Sequence, residues 1–362
     1  MNRDPAAFVR PELRALEAYH LARAPCAHKL DQNEVPYPLP RTVRARIAQR
    51  WLACDWQRYG DFHADAVRRS LGALHGWPMA GVLVGNGSNE LLALTLEALS
   101  GAGRQVLLHA PSFSLYRMLV LRAGAMPRMV GPRADVRLPI AELLDEVARD
   151  PRRPLVLCTP NNPTGDAATP AEVERLLTRL EAPLLLDNAY GEFCVHDYRP
   201  LLAHHRHLVL LRTFSKAWSL AGQRIGYLLA DPDLVTELIK IKLPYNLDHA
   251  SVAAALEALD ARAALERRQR VILGRRPQWA AMLAGHGFEV FASEANFLLV
   301  RHAQSARLAQ ALAARGIRLR EVSAYPGLAG CLRVSVGSGR DLRALDQALQ
   351  ALCANHPGGS GP

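Results

Sequence analysis

The most informative stretch of the chain is Arg212-Thr213-Phe214-Ser215-Lys216-Ala217-Trp218-Ser219-Leu220-Ala221-Gly222-Gln223-Arg224. It follows the run His207–Leu211, whose apolar character is typical of a buried strand. Lys216 has mainly apolar neighbours, and a desolvated lysine offers the neutral amine that Schiff-base chemistry with an aldehyde requires. Ser215 and Arg224 could both hold a phosphate, the arginine as a bidentate fork. The alternative interpretation is a surface lysine near the end of a strand. The choice between the two interpretations depends on the rest of the chain.

The composition is that of a globular protein large enough for two domains. The chain has 362 residues, of which 49% are hydrophobic and 22% are charged. No apolar run has the length of a membrane span, and the first residues lack the apolar core of a signal peptide, so we expect neither membrane insertion nor secretion. Six cysteines are scattered without a Cys-x-x-Cys pair, which favours reduced thiols in the cytoplasm.

The formal net charge of +10 is compatible with nucleic-acid binding or with small anionic substrates. The arginines are spread along amphipathic segments and form no basic run interleaved with aromatic residues, so we do not expect a nucleic-acid partner. The cluster His204-His205-Arg206-His207 lies in a polar connection and lacks further residues at ligand spacing. We therefore predict no metal site, and the sequence assigns no role to this cluster.

The order of the predicted elements divides the chain into domains. From about residue 65 short apolar strands alternate with helices, which predicts an α/β fold with a mainly parallel central sheet covered by helices. After Asp231 the pattern changes to that of a smaller α+β domain, with a long helical region at 250–285 and a strand at Ile317–Arg320. The predicted parts are an N-terminal arm (1–30) with helical spacing from Pro11 to Ala24, a large domain (31–248), a small domain (249–355) and a flexible tail (356–362).

Three further turns at predicted strand ends contain residues that could bind a ligand. Gly85-Asn86-Gly87-Ser88-Asn89 joins a strand to a helix, where free N–H groups and the helix dipole favour an anion; the alternative is a plain glycine turn. Asn162 precedes a proline at the end of another strand. Asp187 ends an apolar strand, where a carboxylate needs a cation such as a pyridinium nitrogen; the alternative is a helix N-cap. Together with Lys216 these groups lie where open α/β sheets bind ligands.

These residues resemble a known family. The motifs Asn-Asn-Pro-Thr-Gly (161–165) and Ser-Lys-Ala-x-x-Leu-Ala-Gly-x-Arg-x-Gly (215–226) are similar to those of the fold-type I pyridoxal-phosphate-dependent aminotransferases. Arg58-Tyr59 and the segments 240–246 and 330–337 resemble the narrower histidinol-phosphate aminotransferase family. The resemblance runs from Tyr19 to about Leu352. It implies a fold-type I PLP-dependent transferase, pyridoxal 5'-phosphate as the cofactor, and a homodimer with shared active sites.

The resemblance also implies roles for individual residues. Lys216 would form the Schiff base and act as general acid and base, Asp187 would pair with the pyridine nitrogen, and Tyr190 would complete the catalytic set. The cofactor-binding residues would be Asn86, Gly87, Ser88, Phe113, Asn162, Asp187, Tyr190, Ser215, Lys216 and Arg224, with Tyr59 donated by the partner subunit. Tyr19, Arg320 and Arg333 would face the substrate.

The implied reaction is transamination between histidinol phosphate and 2-oxoglutarate, giving imidazole-acetol phosphate and glutamate in histidine biosynthesis. The chain departs from the family pattern in three places: Phe113 replaces a usual tyrosine, Asn188 replaces a common glutamate, and the segment Glu34–Tyr37 departs from the usual Asn-Glu-Asn-Pro run. These departures leave open an aromatic amino-acid aminotransferase or a phosphothreonine-type decarboxylase on the same scaffold. A non-enzymatic regulator is disfavoured because Lys216 and Asp187 are both present. The sequence leaves open the amino donor, the side-chain preference and the rates, and whether both arginines contact the substrate.

Overall fold

A computed structural model describes residues 4–16 and 25–354 of the chain. Its strands are β1 His28–Lys29, β2 Val82–Gly85, β3 Gln105–His109, β4 Met126–Val130, β5 Leu155–Cys158, β6 Leu184–Asp187, β7 Leu208–Thr213, β8 Gly226–Leu229, β9 Glu289–Val290, β10 Phe297–Arg301, β11 Ile317–Arg318, β12 Arg320–Glu321 and β13 Cys331–Ser335. Its α-helices are α1 Pro11–Arg14, α2 Arg41–Leu52, α3 Asp65–His75, α4 Ser88–Leu99, α5 Leu115–Arg122, α6 Ile140–Arg149, α7 Pro170–Arg179, α8 Pro232–Ile239, α9 His249–Asp260, α10 Arg262–Gly285, α11 Ser305–Ala314 and α12 Gly339–Ala354.

The larger sheet has seven strands in the order β2-β8-β7-β6-β5-β3-β4. Strand β8 runs antiparallel to both of its neighbours, and the other neighbouring pairs are parallel. Its central strands are apolar up to their last one or two residues, as expected for strands covered by helices on both faces. In β6, Leu184 and Leu186 pack into the core on one face while Leu185 packs into the core on the other. The predicted mainly parallel α/β sheet is confirmed.

Local signals position the helices around this sheet. Helix α7 begins with a reciprocal capping box, in which the Thr169 hydroxyl accepts from the Glu172 N–H and the Glu172 carboxylate accepts from the Thr169 N–H. Asp231 and Asp248 cap α8 and α9 through their side chains. Such caps satisfy backbone donors that the first turn of a helix leaves without partners.

The smaller sheet has four antiparallel strands in the order β12-β13-β10-β9. Strand β1 pairs with β11, so the chain just before residue 30 is held against the C-terminal part of the protein. No helix within residues 4–16 and 25–354 is long and apolar enough to cross a membrane.

Three predicted elements differ from the observed ones. The helical region predicted at 250–285 divides at Ala261, whose backbone leaves the helical conformation. This break allows α9 to pack on α2 while α10 packs on β10. The strand predicted at Ile317–Arg320 forms two short strands with different partners, β11 on β1 and β12 on β13. In the arm, α1 ends at Arg14, and residues 17–24 of the predicted helix lie outside the described residues.

Candidate active site

A cavity of about 580 Å³ lies at the carboxyl ends of the parallel strands of the larger sheet. Strands β5, β6 and β7 end at its wall, and β13 of the smaller sheet contributes the opposite side. The predicted site residues that line it are Ser88, Phe113, Asn162, Asp187, Tyr190, Ser215, Lys216, Arg224 and Arg333. Turns that are distant in the sequence therefore meet in one place.

Lys216 follows β7 and its Nζ donates a hydrogen bond to the Gln32 carbonyl oxygen at 2.8 Å. Burial, together with the positive charges of Arg333 and Arg224, lowers the pKa of Lys216 from 10.5 to about 8. An amine with this pKa is neutral in about a tenth of molecules at pH 7, far more than an ordinary lysine, and the neutral amine is the form that attacks an aldehyde. The alternative of an ordinary surface lysine is excluded by this environment.

Asp187 ends β6 with 7% of its surface exposed. Its Oδ2 accepts a hydrogen bond from the Tyr116 hydroxyl at 2.7 Å, and its Oδ1 accepts from the Ala189 N–H at 3.1 Å. Burial raises the pKa of Asp187, while the Tyr116 hydrogen bond and the Lys216 charge act against that rise. No described residue forms a salt bridge with this carboxylate. A cationic group of a ligand could therefore form an ion pair with it.

Asn162 and Tyr190 are held from the side of the smaller sheet. The Arg333 guanidinium donates to the Asn162 Oδ1 and to the Asp31 carbonyl oxygen, each at 2.5 Å. The Asn33 amide donates to the Tyr190 hydroxyl at 2.9 Å. Burial raises the pKa of Tyr190, so its hydroxyl keeps its proton and can act as a hydrogen-bond donor.

A cradle for an anion lies at the start of α4. Gly87 has φ +81° just before the helix, and a Cβ there would lie 2.5 Å from the Arg224 Nη2. The Arg224 Nη1 donates to the Ser215 hydroxyl at 3.2 Å. The N-terminus of α4, with Ser88 as its first residue, adds free N–H groups and the positive end of the helix dipole. These features fit a phosphate group.

Other predicted residues lie outside the cavity wall formed by the described residues. The Asn86 side chain donates to the Asn246 carbonyl oxygen at 3.4 Å. Tyr59 is 80% exposed and stacks on Tyr245 with ring centroids 4.3 Å apart. Arg320 lies directly across the strand pair from Arg333. The remaining predicted residue, Tyr19, lies outside the described residues.

Three contributors to the cavity were not predicted from the sequence: the carbonyl of Gln32, the amide of Asn33 and the hydroxyl of Tyr116. Tyr116 could have been noticed because it follows Phe113 by three residues at a helix start, a spacing that places two rings on one side. The segment around Gln32 and Asn33 precedes a proline-rich stretch and carries no local signal for a site.

The histidines of the cluster at 204–207 make local contacts. The His207 ring lies 3.1 Å from the Leu177 carbonyl oxygen, and His205 lies 4.0 Å from Glu174. Across residues 4–16 and 25–352, no group of three or more His, Cys, Asp and Glu side chains could hold a metal ion.

Comparison with known proteins identifies the fold and the family. Residues 27–352 match the family model of aminotransferase class I and II. The histidinol-phosphate aminotransferase of Deinococcus radiodurans is 34% identical over 95% of this chain and 96% of its own. The histidinol-phosphate aminotransferase of Chromobacterium violaceum is 35% identical over 95% of this chain and 97% of its own. The chain belongs to the histidinol-phosphate aminotransferase family of class I and II aminotransferases.

Solved structures place this aminotransferase in fold type I. The histidinol-phosphate aminotransferase of Sinorhizobium meliloti, in complex with pyridoxal 5'-phosphate, superposes with a TM-score of 0.83, 25% identity, and coverage of 96% of this chain and 98% of its own. The L-threonine-O-3-phosphate decarboxylase of Porphyromonas gingivalis shares the fold with a TM-score of 0.78 and 22% identity, covering 90% of this chain and 99% of its own. The predicted fold class is confirmed.

The aminotransferase is pyridoxal-phosphate-dependent, as the sequence predicted. Its residues fit the cofactor on three independent observations. Lys216 has a lowered pKa, Asp187 is a buried carboxylate without a salt-bridge partner among the described residues, and Gly87 leaves open the space beside Arg224.

Proposed function

We propose that the enzyme transfers the amino group of histidinol phosphate to 2-oxoglutarate, giving imidazole-acetol phosphate and glutamate in histidine biosynthesis. The observation that carries this proposal is the pair formed by Arg320 and Arg333, which lie opposite each other on β12 and β13. Arg333 is at the cavity wall. A phosphomonoester suits two guanidinium groups better than a single carboxylate does, because it offers three acceptor oxygens and about two negative charges. Tyr19 is proposed to join them at the substrate.

In this proposal the predicted site residues of the cavity bind the cofactor or move a proton. When bound, pyridoxal phosphate supplies an electron sink for the charge left by removing the proton from the substrate Cα. Asp187 would hold the pyridine nitrogen in its protonated form, since an opposite charge stabilises it. Asn162 and Tyr190 would bind the ring hydroxyl oxygen, and Phe113 would stack on the ring.

Lys216 is proposed to hold the cofactor until the substrate arrives and then to carry the proton away from the Cα as a free amine. Its pKa of about 8 supports this task, because a general acid and base is most effective when its pKa lies near the working pH. The phosphate of the cofactor is assigned to the cradle, with Ser215 and Arg224 as donors beside the N-terminus of α4, and with Asn86, Gly87 and Ser88 around it.

We also propose a cytoplasmic homodimer in which Tyr59 of one subunit reaches the phosphate cradle of the other. Tyr59 is exposed and stacks on Tyr245, which is itself exposed, so the two rings present apolar surface to solvent. Such a surface is unfavourable in water unless a partner covers it, and a two-fold interface would cover it with its own copy. The five described cysteines form no disulfide, which supports a reducing compartment.

A substrate panel tests the proposed reaction. We expect kcat/KM for histidinol phosphate to exceed that for unphosphorylated histidinol by about a hundredfold, since each charge-assisted hydrogen bond contributes about 1.5–3 kcal/mol. Arg320→Ala should remove most of that difference. Phenylalanine outperforming histidinol phosphate would favour an aromatic aminotransferase, and release of CO₂ from phosphothreonine would favour a decarboxylase.

A further inference from the structure

Tyr116 links two groups that the proposed function assigns to the cofactor ring. It lies in the first turn of α5, is 2% exposed and contributes to the cavity wall. Its hydroxyl donates to the Asp187 Oδ2 at 2.7 Å. The edge of one ring meets the face of the other between Tyr116 and Phe113, with centroids 5.7 Å apart and planes at 88°.

The hydrogen bonds of Asp187 hold its carboxylate in one orientation and leave the carboxylate able to interact with a ligand. Its Oδ1 is held by the Ala189 N–H and its Oδ2 by the Tyr116 hydroxyl. A carboxylate has about four acceptor sites, so both oxygens can still accept a further hydrogen bond. The two existing bonds prevent rotation of the group, and they offset part of the cost of burying its charge.

The Tyr116 hydroxyl therefore does more than fill space in the core. Without it, the buried Asp187 would keep only one of its two hydrogen bonds, and the charged form would be less favourable. The Cys158 thiol lies on the neighbouring strand in register with Asp187, but a thiol is only a weak hydrogen-bond donor. It would not replace the hydroxyl.

We propose that Tyr116 is a positioning residue that fixes the Asp187 carboxylate and the Phe113 ring relative to each other, so that both act together on the pyridine ring. This inference rests on the proposed pairing of Asp187 with the ring nitrogen. Phe113 carries no hydroxyl, so Tyr116 supplies the phenolic hydrogen bond in this part of the cavity.

The test measures the dissociation constants of two ligands by spectral titration of Tyr116→Phe. One ligand is pyridoxal phosphate, and the other is its analogue with C–H in place of the ring nitrogen. We expect Tyr116→Phe to bind pyridoxal phosphate about tenfold more weakly and the analogue within about threefold of wild type, because one charge-assisted hydrogen bond is lost. The matched control is Tyr227→Phe, which removes a buried hydroxyl that contacts His75 instead of Asp187. Both of its affinities should stay within about twofold of wild type.

A double-mutant cycle with Asp187→Asn decides whether Tyr116 acts through Asp187. We expect Asp187→Asn to weaken binding of pyridoxal phosphate more than binding of the analogue, and the added Tyr116→Phe to change neither by more than about twofold. If Tyr116→Phe weakens the binding of both ligands equally, or weakens the binding of pyridoxal phosphate as much in the Asp187→Asn background as in wild type, the role of Tyr116 is structural. In that case this inference fails while the proposed role of Asp187 stands. If Asp187→Asn does not distinguish the ligands, the proposed role of Asp187 fails and this inference fails with it.

Discussion

At the scale of single residues, the lowered pKa of Lys216 makes the stability of the cofactor-free protein depend on pH. Folding disfavours the charged amine, so its penalty is fully present below pH 8, where the amine is protonated in both folded and unfolded chains. The penalty disappears between pH 8 and 10.5, because the folded protein releases the proton first.

We expect Lys216→Met to stabilise the cofactor-free protein by up to about 3 kcal/mol more at pH 7.5 than at pH 10.5, measured by urea unfolding. Lys240→Met is the matched control, since Lys240 is exposed on the surface and pairs with Glu237 of α8. An equal effect of Lys216→Met at both pH values would contradict a lowered pKa for this amine.

The charge of Asp187 gives a second prediction at this scale. Asp187→Asn keeps the shape of the side chain and removes the charge proposed to hold the ring nitrogen protonated. We expect kcat to fall by at least about a hundredfold, the effect of deleting one preorganised electrostatic group. Steady-state kinetics with saturating cofactor separate this loss from weaker binding. An unchanged kcat would mean that Asp187 serves as a cap for the following turn, through its contact with the Ala189 N–H.

At the scale of elements, the cradle at the start of α4 depends on a glycine. Gly87→Ala would place a Cβ 2.5 Å from the Arg224 Nη2 at a backbone φ of +81°, where a side chain is strained. We expect the affinity for pyridoxal phosphate to fall about tenfold or more. Gly103→Ala is the control, because Gly103 also has positive φ (+78°) but a Cβ added there would meet no atom of the described residues within 4 Å. Its cost should appear in thermal stability alone, and an equal loss of affinity in both variants would contradict the cradle.

At the scale of the whole molecule, shared active sites predict complementation between inactive subunits. Lys216→Ala removes the proton carrier, and the double variant Arg58→Ala with Tyr59→Phe alters the Arg58-Tyr59 pair, whose tyrosine is proposed to reach the partner's cradle. A mixed dimer keeps one intact site, so mixing the two variants should restore part of the activity. The measurement is activity after joint refolding, with each variant refolded alone as the control. A fully active monomer in sedimentation would rule out this arrangement.

The sequence was sufficient to predict the cavity residues that lie in turns next to strand ends. Lys216, Asp187 and Gly87 each end or follow a strand whose carboxyl end lies at one edge of the sheet, and Arg224 precedes the antiparallel strand β8, whose amino end lies at the same edge. The order of the strands and helices was therefore enough to bring them together. The break in the helical region at Ala261 was not predictable, because the helical pattern continues through it and only the packing partners of the two halves differ.

The tertiary structure alone decided which groups hold those residues in place. Tyr116 reaches Asp187 across 71 positions, Asn33 reaches Tyr190 across 157, and the Gln32 carbonyl reaches Lys216 across 184. Each contact is a hydrogen bond between groups that share no sequence pattern, so no periodicity or motif predicts it. The environment that lowers the pKa of Lys216 has the same origin, because Arg333 comes from the other sheet. The reactive groups could be predicted from the sequence because the end of a strand is a local feature of the chain. The orientation and charge state of these groups could not be predicted, because both depend on distant segments that only folding brings into contact.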